Sequence, residues 1–233
     1  MNSTEAAGLS CCCSARTTTD RTLTGSVTES NAIARIRDEE MPADVAAVRS
    51  AGFRLLFETG EPVAATDLAN GAGISANRAT EILDSFRTKG RAEFDDRNFL
   101  IGIAGLTLTP SNHEFTIDGR TRQTWCALDA VGILSALEAT GSVRSTDPYS
   151  GVDIEIAFAD GRPATNVKLF VLEGFDIVNV REDWCPQVNF FTTHSAAEKW
   201  ATSKGLDGDI VAVPDILEAA CAIWKPVVAG TLR

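Results

Sequence analysis

No apolar run in this chain approaches the roughly 20 residues needed to span a bilayer, so a membrane-spanning helix is not expected. The opening Met1-Asn2-Ser3-Thr4-Glu5 lacks the basic start and apolar core of a secretory signal, which predicts a cytoplasmic protein with no membrane partner. Basic residues are in deficit: 21 Lys and Arg stand against 32 Asp and Glu, a formal charge of −11. Binding to a phosphate backbone needs a surplus of cations on the contact face, so a nucleic-acid partner is not expected. Six cysteines in 233 residues are too few for a disulfide-stapled secreted scaffold. No CxxC pair is present, which removes the usual zinc-ribbon spacing. In a reducing compartment, the remaining roles for these thiols are buried spectator, metal ligand or nucleophile.

What is present has three characters along the chain. Residues 1–40 are rich in Ser, Thr, Gly and charge without an apolar period, and read as a flexible leader carrying Cys11-Cys12-Cys13. Residues 41–104 read as a winged-helix-like module. One helix carries Val45, Val48, Phe53, Leu56 and Phe57 and stops at Gly60. A short second helix is expected with Thr66 as its N-cap, then a turn at Gly71-Ala72-Gly73. A third helix is capped by Ser75 and carries Ala79, Ile82, Leu83 and Phe86. Ala92-Glu93-Phe94 and Asn98-Phe99-Leu100-Ile101 then form a hairpin. Arg78, Arg87 and Lys89 on the third helix are offset by Glu81 and Asp84, and Glu93, Asp95 and Asp96 make the wing acidic. Such a surface repels DNA, and a structural role is favoured over a regulatory one.

Residues 105–233 switch to strands with short helices. The expected elements are strands at 106–109, 114–118, 152–158, 167–172, 177–180, 188–192 and 210–213, and helices over 125–140, from Ser195 to Lys204, and from Pro214 onward. The fold class is therefore α+β, a helical N-terminal module followed by a mixed, largely antiparallel sheet with packed helices.

The chemistry concentrates in two segments. In Trp125-Cys126-Ala127-Leu128-Asp129 a thiol and a carboxylate lie three residues apart, which on a helix puts them within mutual reach. In Trp184-Cys185-Pro186-Gln187-Val188-Asn189-Phe190-Phe191 a second thiol sits in equally apolar company. An apolar setting raises the pKa of a carboxylic acid and keeps thiols neutral until a soft cation displaces their protons. Two thiols and an acid would suffice to grip a soft metal and protonate a group bonded to it. No sequence period shows that the segments meet, and on composition alone buried spectator cysteines are the commoner outcome. Cys221 lies on an apolar helix face with Ile216, Leu217 and Ala220 and reads as core; His113 and His194 are isolated, in loop-like contexts.

These segments resemble the organomercurial (alkylmercury) lyases. Leu106-Thr107-Leu108-Thr109, Phe115-Thr116-Ile117-Asp118-Gly119-Arg120 and Trp125-Cys126-Ala127-Leu128-Asp129-Ala130 are similar to that family's first catalytic segment. Cys185-Pro186-Gln187-Val188-Asn189-Phe190-Phe191, followed by Ala196-Ala197-Glu198-Lys199-Trp200-Ala201 and Gly205-Leu206-Asp207-Gly208, is similar to the second. The likeness covers roughly residues 45–220. It implies protonolysis of a carbon–mercury bond to a hydrocarbon and Hg(II), without an organic cofactor. The catalytic and mercury-binding thiols would be Cys126 and Cys185, and Asp129 the proton donor and third neighbour of the Hg(II) product. The implied partners are an organomercurial, low-molecular-weight thiols and a mercuric reductase that receives Hg(II). Pro186 stands where many relatives carry a further cysteine, and the Cys-rich leader and Asn189 also depart from the family pattern. Rival readings are a winged-helix metal-responsive regulator and a non-catalytic thiol protein that holds metal.

Overall fold

A computed structural model of the chain describes residues 33–34, 36, 40–173 and 179–231. The Cys11-Cys12-Cys13 run lies outside the described residues, as do 177 and 178 of the strand expected at 177–180; of the rest, Asn179 is a cap and Val180 opens a π-helical turn, so no strand forms there. The molecule is mixed α+β, and every strand pairing is antiparallel among the described residues. No described helix is long and apolar enough to cross a membrane.

Helix α1 (Ala43–Thr59) buries Val48, Phe53, Leu56 and Phe57 and ends where Gly60 enters the left-handed region at φ 67°, a conformation that glycine adopts without steric cost. Helix α2 (Ala65–Ala72) begins two residues earlier than expected, with Ala64 at its N-cap; Thr66 falls inside the first turn, and the left-handed stop is Gly73. Helix α3 (Ala76–Thr88) is capped as expected, the Ser75 hydroxyl accepting from the Arg78 N–H at 3.3 Å.

Strands β1 (Ala92–Phe94) and β2 (Leu100–Ile103) form the expected hairpin. They continue into β3 (Leu106–Thr107), β4 (His113–Ile117), β5 (Arg120–Thr124), β6 (Gly141–Thr146), β7 (Asp153–Ala159) and β8 (Arg162–Pro163) as one eight-stranded sheet, ordered β1-β2-β3-β5-β4-β6-β7-β8. The sheet therefore runs without a break across residues 104–105. In β7, Ile154, Ile156 and Phe158 point inward while Asp153 and Glu155 face solvent, the period-two alternation of a half-buried strand. A smaller sheet, ordered β10-β9-β11, comprises β9 (Lys168–Leu172), β10 (Asn189–Phe191) and β11 (Gly208–Ala212).

Helix α4 (Ala127–Ala136) is buried from Ala127 through Ser135, the pattern of a helix that is apolar all round and packed on every side. It is shorter than the 125–140 expected, because Cys126 is its extended N-cap and Leu137 its C-cap. Its main partner is α6 (Val213–Val228), which Pro214 opens. The close approach has a visible cause: a Cβ on Gly132 would stand 2.1 Å from the Trp224 ring. The Trp224 indole in turn donates to the Ala104 carbonyl at 3.1 Å, tying α6 to the β2–β3 turn. Helix α5 (His194–Lys204) covers the small sheet, with Trp200 against Phe170 and Phe191. Its cap is Thr193, not Ser195; the Thr193 hydroxyl accepts from Ala196 N–H at 3.1 Å.

Candidate active site

Both cysteine segments enter the core at the ends of short elements. Cys126 terminates the path from β5 and caps α4, and its backbone N–H donates to Asp129 Oδ2 at 2.9 Å. The Cys126 side chain accepts in return from the Asp129 backbone, a reciprocal capping box in which a thiol and an aspartate take the usual hydroxyl and glutamate places. Local helix chemistry alone thus holds Asp129 beside Cys126.

Cys185 arrives differently. A five-residue π-helical turn, Val180–Trp184, is capped by the Asn179 side chain and runs into a single 3₁₀ turn, Cys185–Gln187. Such wide turns are uncommon and recur at functional sites. The two segments are joined directly by the Ala127 N–H, which donates to the Val188 carbonyl at 3.1 Å. The consequence is convergence: the sulfurs of Cys126 and Cys185 and a carboxylate oxygen of Asp129 all lie within 4.8 Å of one another, and all three residues are buried. This is the meeting that sequence could suggest but not establish.

Burial governs the electrostatics. Desolvation first, then hydrogen bonding with Cys185 and the charge of Asp129, holds the Cys126 thiol well above the usual thiol range. Cys185 is pulled down by its hydrogen bond with Cys126, but burial and the Asp129 charge outweigh this and leave it raised. Asp129 is pushed up to about 6, because burial outweighs the hydrogen bonds from Cys126 and the attraction of Arg49. Near neutrality the resting site therefore holds two neutral thiols and an acid poised to lose or take a proton.

A cavity of about 80 Å³ opens onto Asp129 and Cys185, walled by Trp125, Trp184 and Trp224 with Phe86 and Arg49 from the N-terminal helices. Its floor depends on Gly105, which has φ 82° and faces Asp129: an added Cβ would come within 2.2 Å of Asp129 Oδ1.

A model of the MerB alkylmercury lyase family matches residues 106–225. The chain belongs to the alkylmercury lyase family. It is an enzyme of that class. A Bacillus cereus alkylmercury lyase is 29% identical over 174 residues, spanning 71% of this chain and 77% of the relative. A Pseudomonas putida alkylmercury lyase is 31% identical over 164 residues, spanning 65% of this chain and 74% of the relative. A crystal structure of the mercury-bound form of MerB2 superposes with a TM-score of 0.73, covering 84% of this chain and 96% of that one at 20% identity, and so shares the fold.

The other sequence candidates fall outside this grouping. Cys221 is only half-buried on α6, so it is less completely core than its helix position implied. His194 is the exposed first residue of α5, 3.4 Å from Glu198. His113 is not in a loop; it opens β4, is buried, and its Nδ1 lies 2.9 Å from the Ser145 hydroxyl. Burial holds His113 down at about 4, so it stays neutral. Sequence reasoning missed Gly105, Arg49 and Trp224 altogether. It also misplaced Glu93, assigned to an acidic wing surface: the side chain turns inward, 9% exposed, and meets Thr107, Thr109, Trp125 and Arg181. Only its place between apolar Ala92 and Phe94 in a strand hinted at burial.

Proposed function

We propose that this lyase cleaves the carbon–mercury bond of an organomercurial by protonolysis, with Cys126 and Cys185 as mercury-binding thiolates and Asp129 as proton carrier. The observation that carries the reading is the buried grouping of two sulfurs and one carboxylate within 4.8 Å. Soft thiolates favour soft cations, and mercury lies at the soft extreme.

The steps balance as follows. Cys126 gives up its proton to the thiolate that carried R–Hg⁺ in, and a Cys126 S–Hg bond replaces the carrier's. Cys185 then adds to mercury while its proton passes to the Asp129 carboxylate, which is mostly ionised above its value of about 6. Two thiolates raise electron density on mercury and make the departing carbon basic. Asp129 returns the proton to that carbon as general acid; the C–Hg bond breaks, and hydrocarbon leaves with Hg(II) held by the two sulfurs. Prepositioning of acid and metal supplies the proximity that thiols in solution lack. Low-molecular-weight thiols or a mercuric reductase then remove Hg(II). No organic cofactor enters this scheme, and it is suited to a reducing cytoplasm.

We read residues 41–104 as a winged-helix-like module that walls the site instead of binding DNA, and 105–233 as the catalytic domain. In support, Arg78 is engaged by Asp44 at 2.7 Å and Glu81 at 2.9 Å, Arg87 by Asp84 and Asn98, and Phe86 of α3 faces the cavity. Headspace detection of benzene from phenylmercuric acetate with excess thiol tests the activity. Cys126→Ser and Cys185→Ser should each abolish it, and near-normal turnover by either would refute the assignment.

A further inference from the structure

One largely enclosed carboxylate outside the reacting triad, 9% exposed, contacts both cysteine segments. Glu93 lies on β1, and each of its oxygens accepts from two donors. Oε2 takes the Thr107 hydroxyl at 2.7 Å and the Trp125 indole N–H at 3.3 Å. Oε1 takes the Thr109 hydroxyl at 2.6 Å and an Arg181 guanidinium N–H at 2.8 Å. Trp125 immediately precedes Cys126, and Arg181 sits in the π-helical turn that delivers Cys185. The opposite strand makes room: Gly102 pairs with Glu93, and a Cβ there would stand 2.8 Å from Glu93 Oε2. A carboxylate with two donors on each oxygen has little freedom to shift, and charge-assisted bonds are the stronger kind.

We infer that Glu93 is a positioning residue that sets the separation of the two thiols, acting through Trp125 on Cys126 and through Arg181 on Cys185. It touches neither sulfur nor substrate. Its role is to hold the two halves of the mercury grip at one spacing while the metal arrives and the carbon leaves. The inference rests on the mercury chemistry proposed above for Cys126 and Cys185. Groups that orient metal ligands from behind typically cost about 10- to 100-fold in metal affinity or activity when replaced, and a loss of that size is expected here.

The test uses the full chain with Glu93→Gln, which keeps the shape but replaces one acceptor oxygen with a donor amide. Three quantities are compared with wild type: the melting temperature without mercury, the single-turnover rate of benzene release from phenylmercuric acetate, and the glutathione concentration that strips Hg(II) after loading with mercuric chloride. The expected result is a rate lowered about 10- to 100-fold and stripping at about 10-fold less glutathione or lower, in protein that remains folded. A purely structural role would lower the melting temperature and leave both mercury readouts unchanged per folded molecule; that outcome overturns the proposal. Should Glu93→Gln not fold, Thr109→Val decides, because it removes a single donor from the same carboxylate. A partial loss in both mercury readouts supports the inference, and wild-type values overturn it. If wild type releases no benzene, the lyase chemistry is what fails, and the stripping comparison still judges Glu93.

Discussion

Replacing Asp129 with Asn should make this protein more stable near neutrality while disabling it. Burial raises Asp129 from the ordinary carboxylate value of 3.8 to about 6. At about 1.4 kcal/mol per pH unit, ionising it in the folded state costs about 3 kcal/mol. The sign follows from linkage: a raised acid favours folding fully below 3.8, and that contribution is lost as pH rises through about 6. At pH 7.5 the folded enzyme therefore bears the whole cost, and Asn, which cannot ionise but still accepts from the Cys126 N–H, does not. For a chain of this size the gain is roughly 6–12 °C in melting temperature. The assay is thermal unfolding of wild type and Asp129→Asn at pH 7.5 and pH 4, without mercury. The variant should lead by about this margin at pH 7.5 and lose most of the lead at pH 4. A variant that melts at or below wild type at pH 7.5, or a margin independent of pH, would refute the burial argument.

His113 is displaced the opposite way, from 6.5 to about 4. As pH falls from 6.5 towards 4 the unfolded chain takes a proton that the folded one refuses, so about 3 kcal/mol of stability is lost. In wild type this nearly cancels the gain from Asp129 over the same range; in Asp129→Asn the loss stands alone, and urea unfolding at pH 7 and pH 4.5 should reveal the steeper fall. Gly105→Ala should be more damaging than a methyl group ordinarily is, since φ is 82° and the new carbon would meet Asp129 Oδ1 at 2.2 Å. A stability loss of about 1–3 kcal/mol by urea unfolding, with benzene release reduced more than Hg(II) retention, is expected. The pH profile of kcat/KM should rise through about 6, because the transfer proposed from Cys185 needs Asp129 ionised; a profile that falls with pH there would contradict that role.

The residues of the candidate site stood out in sequence, and their convergence did not. Cys126 and Asp129 are linked by a helix start, so their spacing carried real geometry; the thiol as N-cap was unforeseen because a hydroxyl or amide usually stands there. Cys185 stood out by its aromatic neighbours and the family resemblance, but nothing local fixes a π-helical turn. Strand alternation gave β7 to within a residue, and the Gly60 and Gly205 stops fell as expected. Thr66 and Ser195 failed as caps because the residue two places earlier, Ala64 or Thr193, took the extended conformation that precedes a helix. Glu93 misled because charge alone was read as exposure. Its four donors come from residues 14 to 88 positions away, beyond any local pattern.

The unbroken passage of the large sheet from β2 into β3 bears on how this enzyme is handled. The stretch that carries the family signature starts at Leu106, one residue after the glycine that leaves space for the aspartate and thirteen after the carboxylate behind the tryptophan. A fragment cut to that stretch would keep Cys126, Asp129 and Cys185 and lose Gly105, Glu93 and the helices that wall the cavity. On the proposed mechanism, the smallest active piece of this chain is expected to be larger than the stretch that carries the family signature.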